Sequence, residues 1–184
     1  MAAYVEAYES GVSFRRFLEE VRTTPELWRA LARRTTVGEE YLDRVRRSEG
    51  PWRLLVLADD WCGDAVNSLP VIARLVEAHA EAELRIVPRD AFPEIRDRHL
   101  TNGARSIPIA ILLDGEGKVR GSWGPRPAEL QAWFERELRG LPGRERYPAL
   151  RRWYARDRGA TTAREVAELF ELAARPPDAG TSPS

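Results

Sequence analysis

One side chain in this 184-residue sequence stands out as a nucleophile: Cys62, its single cysteine. It lies in Ala58-Asp59-Asp60-Trp61-Cys62-Gly63-Asp64-Ala65, directly after a short apolar run and directly before a stretch of helical spacing. A thiol at a helix N-terminus meets unsatisfied backbone N–H groups and the positive end of the helix dipole, which favour thiolate. Carboxylates pull the other way, with Asp64 in the first helical turn and Asp59 and Asp60 just upstream. A carboxylate about 6 Å from sulfur disfavours thiolate by roughly 0.7 kcal/mol in water and nearly 3 kcal/mol at an effective dielectric of about 20. The helix terminus supplies about 0.3–1 kcal/mol, up to ~2. A close, poorly solvated Asp64 therefore raises the thiol pKa above its reference of about 8.5, whereas an outward-facing Asp64 does not. Trp61 adds a flat apolar surface beside the sulfur.

The elements around this segment define three stretches and a tail. Residues 1–51 form a helical N-terminal extension. Phe14, Phe17, Leu18 and Val21 fall at helical spacing, and Thr24-Pro25-Glu26 reads as a cap with proline at the first helical position. Leu27, Trp28, Leu31 and Ala32 continue an apolar face, and a further helix carries Tyr41, Leu42 and Val45. Residues 52–139 change rhythm. Leu54–Ala58 is a continuous apolar run, the pattern of a strand buried on both faces. A helix from Cys62 to about Ala80 follows, with Pro70 bending it. Then come a strand at Leu84–Val87, a strand at Ile107–Leu113, a hairpin signal at Asp114–Gly117 leading to Lys118–Trp123, and a helix from Pro127 to Leu138. This order predicts an α/β layer with mixed strand directions. Residues 140–175 read as a helical C-terminal extension, and the Pro/Gly/Ser-rich 176–184 as a disordered tail.

Composition narrows the function classes. The 29 basic and 29 acidic residues balance, so charge gives no reason to expect nucleic acid or an anionic membrane as partner. The apolar runs are far too short for a membrane span, and Met1 to Ser10 lacks a secretion-signal pattern. One cysteine excludes an intramolecular disulfide framework, and a cytoplasmic protein is the expectation. His79 and His99 do not neighbour Cys62 in sequence, so no metal set is expected, and both histidines read as surface or packing residues. Trp28, Trp133, Trp153, Tyr41 and Tyr154 read as core or interface anchors.

The spacing of several features together resembles the thioredoxin family. They are Trp61-Cys62-Gly63-Asp64-Ala65, Pro70 eight residues after the cysteine, Ile107-Pro108 opening a later strand, and the hairpin Asp114–Gly117. Gly124 falls where the family has a glycine facing the active site, and Asp90 matches the acid ending the family's preceding strand. The resemblance covers roughly residues 52–139. It implies a thioredoxin-like three-layer α/β fold, a central mixed sheet flanked by helices, with the helical extensions added. It also implies a cis peptide bond before Pro108, facing Cys62. A peptide groove would be lined by Trp61, Gly63, Ile107, Pro108, Trp123 and Gly124, with the Ile107 backbone pairing an extended peptide. Arg89 and Arg105 either border that groove or are solvated surface residues.

This sequence departs from the family at two positions. Ala65 stands where a second cysteine would resolve a mixed disulfide, so self-contained dithiol reduction is excluded. Val56 stands where the family has a buried acid. Two readings follow. In one, Cys62 performs monothiol exchange on protein or peptide disulfides or thiols, with no bound cofactor and a low-molecular-weight thiol as co-substrate. In the other, the protein is a redox-inactive peptide- or protein-binding, chaperone-like module and Cys62 is a passive remnant. The helical extensions either pack across the sheet or build a homodimer interface.

Overall fold

The computed structural model describes residues 1–175, so the expectation of a disordered tail at 176–184 lies outside the described residues. Its centre is a four-stranded mixed sheet: β1 (Trp52–Leu57), β2 (Ala82–Val87), β3 (Ile109–Leu113) and β4 (Val119–Trp123), in the order β2-β1-β3-β4. β1 runs parallel to β2 and antiparallel to β3, and β3 is antiparallel to β4. The two inner strands are the continuous apolar runs. Every residue of β3, and all of β1 but Arg53, is buried, as strands covered on both faces require. The outer strands carry more polar residues and are partly exposed.

Nine α-helices surround this sheet among the described residues. They are α1 (Ala2–Ser10), α2 (Phe14–Glu20), α3 (Pro25–Arg34), α4 (Glu39–Arg46), α5 (Gly63–Glu77), α6 (Pro93–Arg96), α7 (Ala128–Trp133), α8 (Gly143–Asp157) and α9 (Ala160–Ala174). A π-helical turn, Phe134–Leu138, extends α7. Helix α5 runs through Pro70 and ends at Glu77, three residues before the expected Ala80. The fold is thus the expected α/β arrangement, a mixed sheet flanked by helices.

The sequence pattern does not flag α1. Its buried Tyr4, Ala7 and Tyr8 stand at helical spacing, but over nine residues they make too short a stripe. After α1, Val12 exchanges both backbone hydrogen bonds with Ile86, a one-residue antiparallel bridge on the outer side of β2. The expected Thr24 cap also differs. Thr24 has φ +50° and no side-chain capping bond, and Asp60 instead accepts from the Arg22 and Thr23 N–H groups at 2.7 and 2.8 Å. The Trp28 indole donates to the Asp60 carbonyl at 2.9 Å, so the loop before Cys62 is tied to the N-terminal helices.

Trp28, Val45 and Phe170 share one continuous apolar core with the strands and α5. A smaller cluster of Leu130, Leu138, Ala149, Leu150 and Tyr154 joins α8 to α7 and its π turn. Arg44 binds Glu171 through two 2.7 Å bonds and so links α4 to α9.

Candidate active site

Cys62 is the N-cap residue of α5, at the end of the loop that leaves β1. Its Sγ accepts a hydrogen bond from the Ala65 N–H at 3.4 Å, the capping contact that a short polar side chain makes in this position. Its S–H donates to the Ile107 carbonyl at 3.2 Å. The Ile107–Pro108 peptide is cis, as the resemblance implied. The cysteine side is therefore packed against the segment opening β3, and Cys62 is only 7% exposed.

Gly124 closes this arrangement from behind. It has φ +122°, and a Cβ there would sit 2.2 Å from the Pro108 carbonyl oxygen, a distance no side chain tolerates. Glycine thus lets the end of β4 press onto the Pro108 backbone. The Gly124–Pro125 bond is also cis, a feature the sequence reading did not include.

Asp64 faces inward. Its carboxylate forms an ion pair with Arg126, Oδ2 to Nη2 at 2.6 Å, and accepts a 2.9 Å hydrogen bond from the Tyr154 hydroxyl. Arg126 also donates from Nη1 to Gln131 at 2.8 Å, and its guanidinium lies 4.1 Å from the centre of the Phe134 ring. Its Nε is buried without a partner among the described residues. Burial raises the Asp64 carboxyl above the usual carboxylate range, opposed by the Arg126 charge and by the hydrogen bonds from Arg126 and Tyr154. Burial, then the Asp64 charge, pushes the Cys62 thiol up to about 11, opposed by the Ala65 and Asp64 backbone N–H groups and by Arg126. Of the two orientations left open by the sequence the structure has the inward one: Asp64 is buried, and burial together with the Asp64 charge outweighs the backbone N–H groups and Arg126 in raising the thiol.

The other expected site residues scatter around this centre. Trp61 is 55% exposed, with the Arg89 guanidinium 5.2 Å from its ring centre. Gly63 is exposed, whereas Ile107 and Pro108 are buried. Ala65, in the first turn of α5, is fully buried. Trp123 donates its indole N–H to Glu165 at 2.8 Å. Together Trp123 and Gly124 line a cleft of about 490 Å³ that includes Arg126, Gln131, Glu135 and Glu165 but not Cys62. Asp90 lies past the end of β2 and pairs with Arg89 and Arg96. Arg105 pairs with Asp97 and is largely solvated. His79 is buried, with Nε2 2.7 Å from the Ser48 carbonyl and Nδ1 accepting from the Glu81 N–H, and His99 Nε2 is 3.1 Å from the Tyr4 hydroxyl. Neither histidine is a hydrogen-bond partner of the thiol.

The sequence reading missed Arg126 and the role of Tyr154. Arg126 follows Gly124 by two residues, a position close enough to the motif to invite attention. Tyr154 is 90 residues from Asp64 and carries no local signal.

A thioredoxin family model matches residues 11–139. The chain belongs to the thioredoxin family. No curated protein matches this thioredoxin-family chain significantly. Among solved structures it is similar to a protein of unknown function from Pseudomonas aeruginosa, at 24% identity over 93% of this chain and 98% of that one, with a TM-score of 0.71. It is also similar to an HIV epitope scaffold, at 21% identity over 91% of this chain and 97% of that one, with a TM-score of 0.69. Both likenesses concern the fold. Helices α8 and α9, with Tyr154 and Glu165, lie beyond the stretch the family model matches. Among the described residues no helix is long and apolar enough to cross a membrane.

Proposed function

We propose that this protein carries out single-thiol exchange at Cys62 on protein or peptide disulfides, completed by an external low-molecular-weight thiol. The supporting observation is the seat of the sulfur: a helix N-cap, with the thiol against the Ile107 carbonyl ahead of Pro108. Trp61 stands exposed beside it as an apolar landing surface. The Cys62 thiolate attacks one sulfur of the substrate disulfide, and the other sulfur leaves as a thiolate and takes up a proton. A Cys62–substrate mixed disulfide results. With Ala65 in place of a second thiol, the external thiol attacks the substrate sulfur of that bond, Cys62 leaves as thiolate and takes up a proton, and the substrate departs disulfide-bonded to the external thiol.

The raised thiol pKa slows this reaction without abolishing it. At pH 7 a thiol with a pKa of about 11 is roughly one part in 10⁴ ionised, against about 3% for an ordinary thiol. Its greater intrinsic nucleophilicity, with a Brønsted slope of about 0.4–0.5, recovers roughly tenfold. The net rate is about 20–30 times below that of an ordinary exposed thiol, before any contribution from substrate binding.

Burial of the sulfur and its raised pKa favour a second reading, a redox-inactive peptide-binding module. Incubation with glutathione disulfide, followed by intact-mass measurement, separates the two. A Cys62 mixed disulfide that forms faster as pH rises, is reversed by glutathione and is absent from Cys62→Ser supports exchange. No adduct up to pH 9, together with peptide binding unchanged in Cys62→Ser, supports the module.

A further inference from the structure

From the C-terminal helices, Tyr154 on α8 reaches Asp64 and Glu165 on α9 reaches the segment between β4 and α7. Tyr154 donates to Asp64, two residues after Cys62, and the two side chains are almost fully enclosed. Glu165 accepts from the Trp123 indole and from the Ala128 N–H, and so brackets the segment that carries Gly124 and Arg126. Arg126 in turn holds the other oxygen of Asp64. A buried carboxylate beside a thiol is held at both oxygens, by one side chain from the β4–α7 segment and one from α8.

Burying a polar cluster of this kind is costly unless each member is satisfied, so a phenol hydroxyl placed on Asp64 fixes where that charge sits. We propose that Tyr154 is a positioning residue for Cys62: its hydroxyl holds the Asp64 carboxylate in the first turn of α5 and so governs how readily the thiol reacts. Helix α8 is then an integral part of the thiol site. This inference rests on the reading of Cys62 as the reacting group, and it deepens that reading by naming what controls the sulfur.

The groups around Asp64 define the expected direction. Without the Tyr154 hydroxyl, burial acts on Asp64 with only Arg126 opposing it, and the neutral carboxyl gains population. Less negative charge then faces the sulfur, and thiolate forms more easily.

The test is the pH profile of Cys62 alkylation by iodoacetamide, which reads ionisation and access and involves no exchange partner. Tyr154→Phe is expected to raise the rate at pH 7.5 at least threefold and move the profile to lower pH. In an Asp64→Asn background the same change is expected to leave the profile where Asp64→Asn alone puts it. A Tyr154→Phe profile that superimposes on wild type, even with a lowered unfolding midpoint, overturns the proposal, because Tyr154 then only packs. Equal shifts in both backgrounds also overturn it, because Tyr154 then acts without Asp64. Tyr154→Met, which fills similar space without a donor, is read by the same criteria if the phenylalanine form does not fold. Failure to form mixed disulfides would remove the exchange reading while leaving this alkylation result standing.

Discussion

Asp64 and Arg126 meet at 2.6 Å with side chains 9% and 11% exposed, so an ion pair is buried next to the reactive segment. Coulomb attraction alone would hold such a carboxyl well below its usual range. Burial instead raises it, so the loss of hydration outweighs the partner's charge. Groups held against such a cost are common at sites of chemistry, and here the carboxylate stands two residues after Cys62 in the chain.

Breaking the pair from one side is expected to be expensive. Arg126→Met leaves Asp64 buried without its cation and should lower unfolding free energy by about 3–5 kcal/mol in urea titrations. Replacing both, as Asp64→Leu with Arg126→Met, should leave stability unchanged or raise it by about 1–4 kcal/mol. The pH sign is fixed by the raised carboxyl. The unfolded chain releases this proton first, so stability falls as pH rises from the ordinary carboxyl range through the folded value. That component should be absent from the double variant.

Cys62 should leave a mark at alkaline pH. Its thiol is raised to about 11, so the unfolded chain, with an ordinary thiol at about 8.5, ionises first and stability drains away between those values. A shift of about 2.5 pKa units corresponds to about 3.4 kcal/mol. Buried Tyr8 and Tyr154 are raised too, so the informative quantity is the difference between wild type and Cys62→Ala, measured by urea titration at pH 8 and at pH 10.5. The variant should lose less stability over that interval.

The inner strands and the thiol's seat were legible in the sequence for a simple reason. Leu54–Ala58 and Ile107–Leu113 are buried on both faces, so their burial is written as unbroken apolar runs. The Cys62–Pro108 juxtaposition followed from a motif with fixed spacing. The partners of Asp64 were not legible, because they come from the β4–α7 segment and from α8. Tyr154 reads as a core aromatic, since only one of its atoms is polar and the ring itself is buried. Trp123 and Cys62 were expected in one groove, yet the Trp123 indole follows Glu165 on α9, whose position no local pattern records.

Gly124 carries the close approach of β4 to the Pro108 backbone. Gly124→Ala combines a disfavoured φ of +122° with a methyl 2.2 Å from a carbonyl oxygen. Strain of about 1–3 kcal/mol and overpacking of about 1–3 kcal/mol add to an expected loss near 4 kcal/mol. Calorimetry should show a lowered midpoint, and Cys62 alkylation should quicken as the segment facing the sulfur is displaced. An alanine variant with wild-type midpoint and labelling rate would mean that β4 does not press on Pro108 in solution.

Asp64→Asn tests the electrostatics of the thiol directly, because it removes the charge and keeps the shape. A lone carboxylate charge about 6 Å from a sulfur would be worth nearly 3 kcal/mol at an effective dielectric of about 20, and the Arg126 charge paired with Asp64 offsets part of it, so the thiol pKa should fall by about one to two units. Thiolate at pH 7 then rises about 10- to 100-fold, while each thiolate becomes roughly 3- to 10-fold less nucleophilic. The expected gain in alkylation rate is therefore about 3- to 10-fold at pH 7, and it should shrink and reverse above the thiol's own pKa, where both proteins are fully ionised and the wild-type thiolate is the stronger nucleophile. That crossing of the two pH profiles distinguishes a change in charge from a change in access, since a sulfur that had only become more exposed would react faster at every pH.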